Sequence, residues 1–150
     1  MNKNNLKTTR DGFGEGLVLA GQNNDQVVVV NADLEESTRV HLFKKTFPNK
    51  FFQAGVAEQN MMGLANGLAL GGKTPFATSF AIFSPGLNWE QIRIGIISKL
   101  NIKIASTHAG LSNAPDGITH QALEDIAMMR VLPGITIIIP SDFNQAKLAT

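Results

Sequence analysis

The sequence predicts an α/β fold, a doubly wound and mainly parallel sheet with helices on both faces. Three observations predict it. Short β-branched or aromatic runs alternate with segments of helical apolar spacing. The clearest run, Val27-Val28-Val29-Val30, is apolar without alternation, as in a strand covered on both sides. Polar or chemically unusual residues then follow the runs at their carboxyl ends, where such sheets bind ligands.

The elements follow in order. Residues 1–7 are rich in Asn and Lys and read as a loose terminus in front of a helix over 10–20, with Phe13, Leu17 and Ala20 on its apolar face. Gly12, Gly14 and Gly16 resemble a nucleotide loop only superficially, because that fingerprint needs a preceding strand and none stands there. After turn residues at 21–25, a strand runs over 27–33 and ends on Asp33. A polar loop carries Ser37, and the stretch 40–49 reads as irregular or briefly helical.

Phe51-Phe52-Gln53 is a short strand, and a largely buried helix over 57–70 follows, closed by Gly71-Gly72. Glu58 is the single charged residue between Phe51 and Gly72. Acidic residues are common in a helix's first turn, where free N–H groups stabilise negative charge. A carboxyl group with apolar surroundings is less ordinary. Shielded from water, such a group favours its neutral form and can share a proton with a ligand nitrogen.

A third strand is expected over 74–80 and a loop over 81–85. A helix over 87–100 has Trp89, Ile92, Ile96 and Ile97 on its inner face, and a fourth strand at 102–108 ends on His108. The loop 109–119 is long and rich in hydroxyls, which suits binding. A helix from His120 to Arg130 and a fifth strand over 135–139 complete the pattern, with a last helix only beginning before Thr150.

Thirteen basic and twelve acidic residues give a net charge of +1 without long runs of one sign, so neither nucleic acid nor an anionic membrane is indicated. There is no cysteine, hence no disulfide framework and no thiolate metal site. Three scattered histidines match no standard ligand spacing, and no metal site is expected. The start MNKNNLKTTR lacks the apolar core of a signal peptide, and no apolar run reaches the ~18 residues of a membrane span. A cytoplasmic protein of one domain is the expectation.

Taken singly, the candidate site residues have ordinary explanations. His108 could be a hydrogen-bonded structural histidine, Phe80 and Phe83 core residues, Asp116-Gly117 a turn, and His120 a helix start. Asp33, Glu58, Phe80, Phe83 and His108 are instead all expected on the carboxyl edge of the sheet, and that convergence favours a site.

The strings FFQAGVAEQNMMGLANGLAL and STHAGLSNAPDGITHQALEDIAMMRVLPGITIIIPSD resemble the pyrimidine-binding domain of transketolases, particularly forms split into two half-chains. The resemblance runs from about Thr8 to the end of the chain. It implies thiamine diphosphate as cofactor, with Glu58 matching the glutamate that hydrogen-bonds the cofactor's aminopyrimidine ring and activates it. Phe80 and Phe83 match aromatics around that ring, while a further aromatic of the family is replaced by Gly86. His108 and His120 match groups that bind sugar hydroxyls and assist proton transfer, and Asp116 one that binds a substrate hydroxyl. Arg10 and Ser37 match positions that hold a sugar phosphate, and Asp33 one near the substrate entrance.

The resemblance further implies a ketol transfer between sugar phosphates in the pentose phosphate pathway. It implies Mg²⁺ or Ca²⁺ held by a diphosphate-binding N-terminal partner subunit in a homo- or hetero-oligomer such as a dimer. That domain, with its Gly-Asp-Gly metal motif, and the family's C-terminal domain are not found here, so the chain reads as a fragment of a longer half-transketolase. Deoxyxylulose-phosphate synthases share the AEQ helix and the DG-THQ loop but usually carry Arg where this chain has His108. A non-catalytic dimerisation or regulatory domain of the same fold is the other alternative.

Overall fold

The computed structural model of the chain describes residues 7–150. The loose terminus expected over 1–7 lies, apart from Lys7, outside the described residues. Four parallel strands form one sheet in the order β2-β1-β3-β4: β1 Val27–Asn31, β2 Phe51–Gln53, β3 Thr74–Phe80 and β4 Lys103–Thr107. The chain leaves β1 toward β2 on one side and comes back to β3 on the other, so the order reverses at β1. The crevice outside the carboxyl ends of β1 and β3 is the switch point where such sheets receive ligands.

Every position of β1 is buried, because helices cover both faces. On one face Val27 and Val29 pack with Phe13 and Leu17 of α1 (Thr9–Asn23) and with Phe43 of α2 (His41–Thr46). On the other Val30 and Ala77 pack with Met61, Met62 and Ala65 of α3 (Glu58–Leu70) and with Ile92 of α4 (Trp89–Ile97). Burial of side chains of this size stabilises by about 1.5–3 kcal/mol each relative to exposure. Two short helices complete the chain, α5 Asp125–Arg130 and α6 Phe143–Ala149.

α1 begins at a capping box. The Asp11 N–H donates to Thr8 Oγ1 at 3.3 Å, and the Thr8 N–H donates to Asp11 Oδ2 at 2.8 Å. The helix runs three residues beyond the expected end at Ala20, to Asn23. Its glycines are points of close approach rather than a phosphate loop. A Cβ on Gly12 would lie 2.1 Å from the Phe143 carbonyl oxygen of α6, one on Gly16 2.7 Å from that of Lys147, and one on Gly14 2.7 Å from Arg39 Cβ.

Four expectations are corrected. Residues 135–139 form no strand: Ile138 and Ile139 are more than half exposed, and no ladder among the described residues takes them up. A helix does not start at His120, since 3₁₀ turns at Gly110–Asp116 and Ile118–His120 occupy the loop and α5 begins only at Asp125. Ile97 is exposed at the end of α4 rather than part of its inner face. α3 is buried along one stripe only, through Met61, Met62 and Ala65, while Leu64 and Leu70 face outward.

Candidate functional site

The carboxyl ends of β1, β3 and β4 gather most of the expected residues. Phe80, the last residue of β3, is 6 % exposed and stacks nearly parallel on Phe83, with centroids 6.1 Å apart and 9° between the planes. The imidazole of His108 lies against Phe80 at 4.0 Å, and that of His120 meets Phe83 edge-on at 5.3 Å. The result is a continuous aromatic wall, of the kind that excludes water from a flat ligand. The turn behind Phe80 is held by its carbonyl, which accepts from the N–H groups of Phe83 and Ser84 at 3.0 and 2.8 Å.

Arg10, at the start of α1, ties the loop after β1 to the end of β4. Its Nη1 donates to His108 Nε2 at 3.0 Å and, more weakly, to the Ser37 carbonyl at 3.4 Å. Guanidinium has no lone pair to offer, so Nε2 is the acceptor and the ring proton sits on Nδ1, where it can reach Thr107 Oγ1 at 2.7 Å. His108 is therefore neutral in this arrangement. Its pKa lies below the ordinary 6.5: burial disfavours the imidazolium, the Arg10 charge adds repulsion, Asp116 pulls the other way and Arg39 adds to the lowering.

That depression has a defined pH consequence. A histidine whose folded pKa is lowered contributes stability that is fully present above its unfolded value of about 6.5 and is lost as pH falls through the folded value. Arg10→Gln is expected to move the His108 titration upward, followed through its imidazole resonances by NMR. An unmoved midpoint would show that Arg10 is not coupled to the ring.

Arg39 differs from Arg10. It adopts a positive φ of 66°, and its Nε donates to Asp11 Oδ1 at 2.7 Å. Burial opposes ionisation of Asp11, but the hydrogen bonds from Thr8 and Arg39 outweigh it and hold that carboxyl well below the usual carboxylate range. Arg39 is thus neutralised, while Arg10 has no carboxylate partner among the described residues. A cation of this kind, beside the Ser37 loop, suits an anionic group.

Glu58 opens α3 just beyond β2 and is 7 % exposed. Its carboxylate has no hydrogen-bond or ion-pair partner among the described residues, although buried acidic groups normally have one. Its backbone is tied to the aromatic wall: Asn88 Nδ2 donates to the Glu58 carbonyl at 3.3 Å and to Ser84 Oγ at 3.2 Å. A carboxyl group on a largely buried residue, with free hydrogen-bonding capacity and beside paired aromatic rings, fits a flat heterocycle that offers a basic nitrogen. Aminopyrimidine is such a group.

Two expected residues stand apart. Asp33 adopts a φ of 60° and is exposed; its N–H donates to Gln53 Oε1 at 2.8 Å, and it makes no bond to the cluster. Asp116 is also exposed and meets His108 only through its charge.

Sequence reasoning missed three buried asparagines. Asn31, fully buried, donates to Thr78 Oγ1 at 2.7 Å and accepts from the Leu34 N–H at 3.0 Å, stitching β1 to β3 at the switch point. Asn113 holds the 3₁₀ loop closed through the His120 carbonyl at 3.1 Å. Asn88 is the third. Asn31, ending an all-valine run, was the one such position with a local signal.

Residues 6–150 match the family described as transketolase, pyrimidine binding domain. A putative transketolase C-terminal section from Methanocaldococcus jannaschii is 49 % identical over 142 residues, which cover 94 % of this chain and 45 % of that protein. Transketolase of Homo sapiens is 38 % identical over 135 residues, covering 89 % of this chain and 22 % of its own length. A split gene transketolase, solved as an inactive beta4 tetramer, aligns with a TM-score of 0.82 at 48 % identity, over 95 % of this chain and 46 % of that one. Transketolase from Campylobacter jejuni aligns with a TM-score of 0.85 at 28 % identity, over 95 % of this chain and 24 % of that one. The chain spans less than half the length of these relatives. With this fold, these motifs and matches along nearly its whole length, the chain belongs to the transketolase family as a pyrimidine-binding domain.

Proposed function

We propose that the chain supplies the pyrimidine side of a thiamine diphosphate site, completed by a diphosphate-binding partner subunit that holds the Mg²⁺ or Ca²⁺. The assembled enzyme transfers a two-carbon ketol unit from a ketose phosphate to an aldose phosphate. The observation that carries this reading is Glu58, a largely buried residue whose carboxyl group has no partner among the described residues and whose backbone carbonyl is tied through Asn88 to the turn bearing Phe83. The names of two relatives, a C-terminal section and a split gene transketolase, support a partner encoded separately.

When bound, the cofactor supplies the carbon–carbon chemistry. Glu58 hydrogen-bonds the pyrimidine ring nitrogen and holds a proton there. Phe80 and Phe83 exclude water from the ring. His108, kept neutral with its proton on Nδ1, accepts a hydrogen bond or a proton from a sugar hydroxyl at Nε2 once Arg10 turns from that nitrogen to the sugar phosphate. His120, on the other side of the wall, binds a second hydroxyl, and Asp116 a further one at the rim. Arg10 and Ser37 take the sugar phosphate, and Asp33 lies near the entrance. The neutral imidazole at 108 favours this reading over the synthase alternative.

The test mixes the chain with a diphosphate-binding subunit, thiamine diphosphate, Mg²⁺, a ketose phosphate and an aldose phosphate. Formation of the two-carbon-extended ketose phosphate is expected. Turnover with pyruvate as donor instead would assign the synthase activity, and cofactor-independent association alone would assign a non-catalytic domain.

A further inference from the structure

We infer that Asn88 is a positioning residue that sets Glu58 against the aromatic wall, an inference that rests on the proposed cofactor site. Asn88 stands at the N-cap of α4, a position where asparagine ordinarily caps the helix with its own side chain. Here it makes no such bond. Its amide is fully buried and spans two other elements, donating to the Glu58 carbonyl at 3.3 Å and to Ser84 Oγ at 3.2 Å.

Both anchors matter to the site. α3 begins at Glu58 with Ala57 at its cap position and no side-chain cap, so no neighbouring side chain secures the first turn. Ser84 is also fully buried, follows Phe83 directly, and is pinned twice, by its N–H to the Phe80 carbonyl and by its own carbonyl accepting from Ser106 Oγ. One amide therefore relates the position of the acidic residue to that of the stacked rings. Its orientation is dictated, because turning the amide over would set Oδ1 against the Glu58 carbonyl, acceptor facing acceptor. Oδ1 is left buried without a partner among the described residues, the mark of a side chain placed for its donor and not for complete satisfaction.

Asn88→Leu keeps the branched shape and removes the donor. In the chain itself, hydrogen exchange at the Met61 and Met62 amides should accelerate by about tenfold or more while the strands β1 and β3 keep their protection. In the complex with its diphosphate-binding subunit, the affinity for thiamine diphosphate with Mg²⁺ and kcat should each fall by about 10–100-fold, with the sugar-phosphate KM within about twofold. In a Glu58→Gln background the same change should cost less than about twofold, since the group being positioned is gone. Ser84→Ala, which removes one anchor and leaves the core alone, should reproduce a weaker form of the pattern and serves if Asn88→Leu does not fold.

Equal losses in both backgrounds, or faster exchange spread evenly over the sheet, would overturn the inference. If the wild-type complex binds no thiamine diphosphate, the proposed cofactor site falls. The exchange pattern then still decides whether Asn88 holds the first turn of α3, and unchanged exchange there would overturn that as well.

Discussion

Replacing Glu58 by glutamine is expected to lower turnover of the reconstituted complex by about 10²–10⁴-fold, the range for losing a positioned acid–base group, without loss of folding. Glutamine has nearly the same shape and keeps a hydrogen-bonding tip, so the packing around a residue only 7 % exposed is undisturbed. It cannot hold and return a proton as a carboxyl group does. The stability side of the argument separates function from structure. Both side chains leave a polar tip without a partner, so that cost nearly cancels between them, and the difference is the loss of a charge at a helix N-terminus, about 0.3–1 kcal/mol. The variant should therefore unfold within a few degrees of the wild type. Activity lost at nearly unchanged stability is the pattern of a residue retained for chemistry. Steady-state kinetics and thermal unfolding on the same preparations check it, and near-normal turnover would remove Glu58 from the mechanism.

The four paired strands could be read from the chain because their information is local. Uninterrupted valines at 27–30 announce a strand covered on both faces, and the residues that follow each run were expected at the sheet's carboxyl edge, where Phe80 and His108 do meet. The failures occur where the outcome depends on a distant partner. Ile135–Ile139 has the composition of a strand, yet a strand exists only as part of a ladder, and none among the described residues accepts it. A helix is expected to begin at His120. The Asn113 amide, bonded to the His120 carbonyl, keeps that residue in the preceding 3₁₀ turn. Gly12, Gly14 and Gly16 match no phosphate loop, but the sequence does not say why they are glycines: each is small for the sake of a neighbour that no local pattern announces, α6 for two of them and Arg39 for the third. The same limit hid Asn31 and Asn88, whose hydrogen bonds reach 47 and 30 residues along the chain.

Phe43→Ala is expected to destabilise the chain by about 3–5 kcal/mol, a large share of the roughly 5–15 kcal/mol that holds a domain folded. Phe43 is fully buried, stacks at a tilt on Phe47 with centroids 5.0 Å apart, and fills the space left by Gly21, where a Cβ would come within 2.6 Å of its ring. α2 has only six residues and no side-chain cap, and Phe43 is its one buried residue, so this ring is its main anchor on the sheet. Its release would loosen the preceding turn, in which Ser37 meets Arg10 and Arg39 meets Asp11. The expected result is therefore twofold. Urea unfolding should show the lower midpoint, and below that midpoint the complex should show a raised KM for sugar phosphates while its affinity for thiamine diphosphate is kept, because α3 and the Phe80–Phe83 wall lie outside the cluster that Phe43 fills. If cofactor affinity fell in step with sugar-phosphate affinity, the two halves of the site would not be carried by separate parts of the fold.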